Sequence, residues 1–278
     1  MRTLLKGVVA VAVLFTVVLG LTFPTDDLVR WVLSRVPVPE GHTVTFQRAH
    51  LRPWGIVLDD AAYRHSDGRP VIELEWLRVR PSWTAFWRDR LGRPWHVSAG
   101  VFGGTIEGRI ASDATAQLLD ASWTDIDVGD LLRALQRDGA LTGRSTGHAT
   151  LRLPVSDQAS GEGDLTLRSA AWQPPLEALE DVPIHADQAT VRWTLADGRV
   201  QLSNVDLRGE EVDATAQGTL RLAQAIGASS LDVHMTIAPL PGIPVELHRL
   251  LDGLPRRPDG VHDFRVTGTI DAPHLSAP

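Results

Sequence analysis

The chain has 278 residues, 43% of them hydrophobic and 22% charged, with a formal net charge of −7 and no cysteine. This is enough chain for one large domain or two modest ones without covalent staples. The absent thiols exclude disulfides, thiolate metal sites, cysteine nucleophiles and a lipidated amino-terminal cysteine, and the acidic balance argues against nucleic acid, whose phosphates demand a basic surface.

The run "GVVAVAVLFTVVLGLTF", Gly7 to Phe23, holds seventeen residues without a charge. As a helix it spans roughly 26 Å, and with Leu4 and Leu5 included and Lys6 snorkelling it reaches membrane-spanning length. Arg2 and Lys6 precede it and Asp26 and Asp27 come after it, which orients the N-terminus to the cytoplasm. A cleaved signal peptide is the rival: Val18 and Gly20 make a weak small-residue site, but there is no A-x-A, and the apolar run exceeds a typical signal core. The expectation is an uncleaved anchor, with residues 1–6 cytoplasmic, 7–23 in the membrane, and everything after Pro24 exported. Without Arg2 and Lys6 the exported part carries a charge of about −9.

"PTDDLVRWVLSRV" then reads as an amphipathic helix within a 24–40 helix-and-linker segment. Thr25 caps it, Asp26 and Asp27 suit its positive end, and Leu28, Trp31, Val32 and Val36 share one stripe. It either rests at the membrane interface, with Trp31 as aromatic anchor, or plugs one end of a β domain. From residue 41 to 278 the pattern is mostly β. "TVTFQRAHLR" alternates, "GIVLDDAAYRH" starts apolar, and "SDGRP" turns the chain into "VIELEWLRVRP", where Ile72, Leu74 and Trp76 alternate with Glu73 and Glu75. "SWTAFWRDRLG" reads as a short helix capped by Ser82.

"GVFGGTIEGRI" packs Gly100, Gly103, Gly104 and Gly108 together. A dinucleotide fingerprint needs G-x-G-x-x-G leaving a strand and opening a helix. Here Gly103 and Gly104 are adjacent, the residues after them alternate as a strand, and no G-K-[ST] ending is present. The stretch is a hairpin turning at "FGG", with Gly108 expected at a twist or bulge.

A helix is expected from Val128 to Arg137, closed by Gly139. "TGHATLRLPV", "GEGDLTLRSAAW" and the long run from Asp187 to Ala223 continue as strands. In the last of these, Val191, Trp193 and Leu195 precede an Asp197-Gly198 hairpin turn. The return strand carries Val200 and Leu202, then Val205 and Leu207, and the change of parity at Ser203-Asn204 predicts a bulge. Val212, Ala214, Ala216, Leu220 and Leu222 continue as a third strand. "SLDVHMTIAPL", a short helix at "PVELHRLLDGL" and "DFRVTGTIDAP" close the chain.

Taken in order, "FPTDDLVRWVLSRV", "LRVRPSWTAFWRDRLG", "VFGGTIEGRI", "LTGRSTGHATLRLPV…GEGDLTLRSAAW" and "FRVTGTIDAPHL" resemble the type II secretion system protein N family over nearly the whole chain. The same grammar is similar to the wider AsmA-like and TamB-like group. The resemblance implies a mainly β fold: an N-terminal transmembrane helix, then a long twisted antiparallel sheet (an AsmA-like groove or half-barrel) with a few short helices. It further implies a single-pass inner-membrane protein with a periplasmic body, acting as an accessory component of type II secretion that contacts other secretion-system components. The alternative is a lipid-binding or lipid-transfer groove protein of the envelope, with phospholipid as partner. The family carries no catalytic residues, so no enzyme activity and no cofactor are expected.

Ten histidines form neither H-x-H nor H-E-x-x-H, and the tightest carboxylate pairings by sequence are His185–Asp187 and His262–Asp263. "RHSDG" and "SDQASG" lack the G-x-S-x-G elbow of a serine nucleophile. Six of nine tryptophans lie between Trp31 and Trp95, serving either as core filler or as an aromatic surface near the membrane. Val200, Leu202, Val205, Leu207, Val212, Leu220 and Leu222 either line an open groove or fill a closed core, because both arrangements demand one apolar face per strand. The charge pattern about residues 7–23 predicts that a reporter fused after Pro278 is active only outside the cytoplasm. Recovery of the mature chain as a soluble species lacking residues 1–20 would overturn the anchor.

Overall fold

Alternating apolar and polar residues become antiparallel strands wherever successive runs are joined by short turns. In a computed structural model this chain is described over residues 42–52, 55–65, 70–81, 95–112, 116–134, 140–154, 159–173, 183–223, 226–253 and 255–277. The anchor run 7–23, the helix bearing Trp31 and the short helix from Ser82 lie outside those residues. Among the described residues no helix is long and apolar enough to cross a membrane. The chain divides into two compact units, one ending at Arg80 and one beginning at Pro81.

The first unit contains β1 (His42–Thr45), β2 (Arg48–Arg52), β3 (Gly55–His65) and β4 (Pro70–Pro81). β1 and β2 pair antiparallel with opposite ends of β3, and β3 pairs with β4. The single alternating run expected at "TVTFQRAHLR" is thus broken at Phe46 and Gln47. The cause lies opposite: Asp60 of β3 has φ of 50°, a left-handed conformation that interrupts the pleat. The same residue resets the apolar parity. Leu58 and Ala61, three apart, both join the core of Ala49, Phe46, Ile56, Leu74 and Leu77. The expected Ile72–Leu74–Trp76 face therefore does not run straight through. Trp76 instead carries the Arg78 guanidinium 4.6 Å from its ring centroid, a cation–π contact.

The second unit is a meander. Its strands are β5 (Trp95–Val101), β6 (Gly104–Ser112), β7 (Ala116–Asp127), β8 (Ala140–Pro154), β9 (Ser160–Gln173), β10 (Ile184–Ala196), β11 (Arg199–Arg208), β12 (Val212–Arg221), β13 (Ser230–Pro239), β14 (His262–Thr269) and β15 (Pro273–Ser276). From β5 to β15 each strand pairs antiparallel with the next. Among the described residues β15 pairs only with β14, so the sheet is open. The β5–β6 turn is Phe102-Gly103, at φ of 50° and 68°, and the β10–β11 turn is Asp197-Gly198, at 51° and 68°. Both central residues at positive φ make the primed hairpin turn whose twist suits paired strands. The glycine cluster is a hairpin.

Bulges recur in alternate strands from β7 to β11. Between the pairs Trp123–Gly147 and Ile126–Ser145, two residues of β7 face one of β8. Two residues of β9, Ser169 and Ala170, face Gly143 of β8. In β11, Ser203 and Asn204 lie between Leu202, paired with Gly218, and Val205, paired with Ala216, where the change of parity places them. Gly108 does not behave as expected. It pairs in unbroken register with Val97 and Ala121, and a Cβ there would meet nothing nearer than 3.5 Å.

Two other glycines are required by close approach. Trp123 is paired with Gly147 and Trp193 with Gly163, and each indole lies over its partner. A Cβ added at Gly147 would sit 2.5 Å from Trp123 Cζ2, and one at Gly163 would sit 2.6 Å from Trp193 Cζ2. Such aromatic cover compensates the weak packing of a strand glycine. None of the five described tryptophans belongs to the fully buried core; of the six between Trp31 and Trp95, only Trp76 and Trp95 are among the described residues.

Among the described residues the unit also has two short α-helices. α1 (Val128–Ala134) starts where Asp127 Oδ1 accepts the Asp130 N–H at 3.0 Å, an aspartate N-cap. The part of the expected helix beyond Ala134 lies outside the described residues. α2 (Val245–Asp252) is amphipathic, and its Leu247 and Leu251 pack on Val212, with Ile184, Leu207, Ile237 and Ile243 around them. The glycine geometry sets a contrast. Gly163→Ala must displace backbone or the Trp193 ring and is expected to cost about 1–3 kcal/mol, whereas Gly108→Ala is neutral or stabilising. Urea unfolding of both variants checks this, and equal effects would remove the case for the Trp–Gly pairs.

Candidate functional site

Because side chains two apart share a face, the register identifies what each face of the second unit presents. One cross-strand row runs Ala99, Ile106, Trp123, Gly147, Leu165, Val191, Val205, Ala216, Met235, Phe264. The next runs Val97, Gly108, Ala121, Ala149, Gly163, Trp193, Leu202, Gly218, Val233, Val266, with rows through Leu195–Val200–Leu220–Leu231 and Ala189–Leu207–Ala214–Ile237 on either side. This face is predominantly apolar, with buried Ser145, between Leu167 and Ile126, and buried His262, opposite Ile237, as polar exceptions. With strands about 4.8 Å apart and residue pairs about 6.8 Å apart, two rows over ten strands and the shorter rows beside them cover on the order of 1,000 Å². Patches beyond several hundred Å² mark interaction surfaces in soluble domains.

Its cover is incomplete. Trp123, Leu165, Val191, Trp193, Leu195, Val200, Leu202, Val205 and Leu220 are all only half-buried, although they sit in the middle strands, and Ile106 and Ile110 are 37% and 38% exposed. A second packed layer would bring such positions below a tenth. At one end α2 covers Val212, and Leu207 is packed against that cluster; Ala99, Val233 and Phe264 of the two central rows are also buried.

Of the seven residues expected to line the face, Val200, Leu202, Val205 and Leu220 stand together on its uncovered part, Leu202 and Val205 sharing the face only because of the bulge between them. Val212 is buried beneath α2 and Leu207 packs beside it, so both belong to the covered end. Leu222 lies past the end of β12 and is 47% exposed; its N–H extends the β11–β12 ladder to Gly198 O at 3.0 Å. Trp31 lies outside the described residues. Sequence reading placed Val191, Trp193 and Leu195 on one face without joining them to the candidate lining, and missed Leu165, Val233 and Ile237; the alternation in their strands is the signal that could have found them.

The opposite face is polar and internally paired. Arg265 donates from Nε and Nη2 to the two carboxylate oxygens of Asp232, each at 2.6 Å. His148 Nε2 lies 2.8 Å from Asp120, and Asp263 meets His234 at 2.7 Å and Arg257 at 3.0 Å. His185, the histidine closest in sequence to Asp187, pairs elsewhere. Glu211 Oε2 accepts the His185 backbone N–H at 2.8 Å while Oε1 lies 3.0 Å from Nδ1, so one carboxylate meets two groups of the same residue. His262 and Asp263, adjacent in a strand, point to opposite faces. A cavity of about 480 Å³ is lined by Arg208, Asp213, Thr215, Thr236 and Arg257, with Arg208 paired to Asp206 at 3.1 Å. Among the described residues no three His, Asp or Glu side chains are grouped to hold a metal ion.

Comparison with protein-family models, curated proteins and solved structures returned no match to this chain. The chemistry of the two faces therefore carries the functional reading.

Hydrogen bonds from Arg265 hold the Asp232 carboxyl below the ordinary carboxylate range, the Coulombic attraction of the same guanidinium adding to them. A depressed folded value means the pair stabilises above the unfolded aspartate range and is lost as pH falls through the folded value. Arg265→Gln is thus expected to lower melting at neutral pH, with the difference from wild type shrinking on acidification below that range. Because the pair is exposed, the effect is small and is reduced by salt. A difference independent of pH would contradict the assignment.

Proposed function

We propose that this protein handles lipid at the cell envelope, anchored in the inner membrane by residues 7–23 and holding acyl chains on the apolar face of its periplasmic sheet, which serves as a groove. The observation that carries the reading is the half-buried state of Val191, Trp193, Val200, Leu202, Val205 and Leu220 in the middle of an otherwise well-paired sheet. Each methylene moved from water onto such a surface contributes about 0.8 kcal/mol. Glycine–tryptophan pairs and alanines keep the surface smooth, and smooth apolar surfaces accept flexible chains of varied length. With the α2 end covered and the Trp95–Leu222–Leu275 end exposed, chains enter from the exposed end.

A second reading is an accessory component of type II secretion whose β domain contacts other components. It is favoured by β15, whose four residues are all exposed and whose outer edge is unpaired among the described residues, an arrangement open to strand addition. The same experiment separates the two.

Leu202→Asp and Leu220→Asp place a carboxylate on the uncovered part of the face. Full-length protein purified from membranes is compared with each variant by thermal unfolding and by mass spectrometry of co-purifying phospholipid. The expected outcome is a stability loss below about 2 kcal/mol together with loss of most bound lipid, since a half-exposed carboxylate keeps its water. The variants retain the anchor, so lipid carried by the membrane segment is common to all samples. Wild type with no more lipid than the variants, and variants that lose several kcal/mol, would show a closed core and overturn the groove.

A further inference from the structure

The polar face of β11 and β12 is matched pair by pair, with one exception. Arg208 stands opposite Asp213, Asp206 opposite Thr215 and Gln201 opposite Thr219, but Arg199 stands opposite Arg221. Side chains directly opposed across a strand pair have Cβ atoms about 5 Å apart, and like charges there repel. Both arginines are exposed, and neither makes an ion pair among the described residues. The nearest acid on the next strand, Asp232, already has both oxygens taken by Arg265. Elsewhere the sheet relieves such a pairing: Arg144, opposite Arg168, donates to Asp125 O at 3.0 Å and stands beside Asp127. At Arg199 and Arg221 nothing comparable is present.

The pair is surrounded by hydrogen-bonding side chains, with Asp232, held by Arg265, opposite Thr219 and Asp197 in the turn before Arg199. Ser230 stands opposite Arg221, with Gln201 and Thr219 one step along the same face. One residue away, on the other side of the sheet, are Val200 and Leu220, and Leu222 is exposed just past the strand end. The pair therefore lies at the rim where the uncovered end of the apolar face stops. Two guanidinium forks with adjacent hydroxyls are suited to the oxygens of a phosphate ester, whose charge would relieve the repulsion.

We propose that Arg199 and Arg221 form a binding site for a phosphate-ester anion at this rim, the anion being the headgroup of a lipid whose chains lie on the apolar face. Only the lipid origin of the phosphate rests on the lipid-handling reading; the site itself rests on the unpaired arginines.

The test uses full-length protein in neutral detergent and three probes: pyrene-labelled phosphatidylglycerol, pyrene-labelled phosphatidylcholine and water-soluble glycerol phosphate. Wild type is expected to bind the phosphatidylglycerol about tenfold more tightly than the zwitterionic lipid. Arg199→Gln/Arg221→Gln is expected to abolish that preference, keep the phosphatidylcholine affinity, and melt about 2 °C higher at low salt because the repulsion is gone. Competition by millimolar glycerol phosphate would assign the site to free phosphate esters, and absence of competition to a membrane lipid. If neither lipid binds, the lipid-handling reading fails, and the site stands or falls on whether glycerol phosphate binds wild type but not the double variant. A double variant that keeps the wild-type preference, or one that melts no higher than wild type, would overturn the proposal and leave the two arginines as solvated surface.

Discussion

A pleated strand sends neighbouring side chains to opposite faces, so a slip of one residue exchanges the two faces along a whole strand. Eleven strands share one apolar face here only because every pair from β5 to β15 holds the register that keeps the rows aligned. The bulges belong to that constraint. Without the extra residue at Ser203 and Asn204, Val205 and Leu207 would turn to the polar side. The extra residue in β7 does the same for Ile126 relative to Trp123, and that in β9 for Ala170 relative to Leu167. Asp125 and Ser169 accept positive φ at those points, a local strain that the surrounding ladder holds in place.

A face kept in register still needs something to pack on, and this sheet supplies much of the packing within itself. Trp123 over Gly147 and Trp193 over Gly163 cover the cross-strand neighbour and not a second layer. The fully buried apolar residues of the second unit include several alanines (Ala99, Ala116, Ala170, Ala186), while the large ones are Val212, Leu247 and Leu251 at α2, Val233 and Phe264 on β13 and β14, and Val101 and Ile126 on β5 and β7. The polar face is held by exposed ion pairs and hydrogen bonds, each worth little singly, so long continuous ladders of backbone hydrogen bonds are what give the sheet its cohesion.

This division of labour separates structure from function. The covered end, with Val212, Leu207, Leu247 and Leu251, behaves as an ordinary core. The middle and the exposed end remain available to a ligand, and the unpaired Arg199–Arg221 couple adds charge where apolar surface ends. An apolar floor with a cationic rim has the polarity of an anionic amphiphile.

Much of the architecture was legible in the sequence. Two-residue alternation marked the strands, Phe102-Gly103 and Asp197-Gly198 marked hairpin turns, and the broken parity at Ser203-Asn204 marked a bulge, because these signals are local and depend on adjacent residues only. Long-range effects were not legible. Asp60 broke the first strand and displaced Trp76 from the core through its own backbone conformation. Glu211, twenty-six residues along the chain, pairs with His185, and Gly108 proved an ordinary strand position while Gly147 and Gly163 were the glycines that mattered. The sequence by itself determined which residues are apolar and with what period. Only the tertiary structure decided that most of that face lies uncovered, that α2 closes one end of it, and that two arginines meet without a counter-charge. Periodicity records which side of a strand avoids water, whereas burial depends on what the rest of the chain brings to that side.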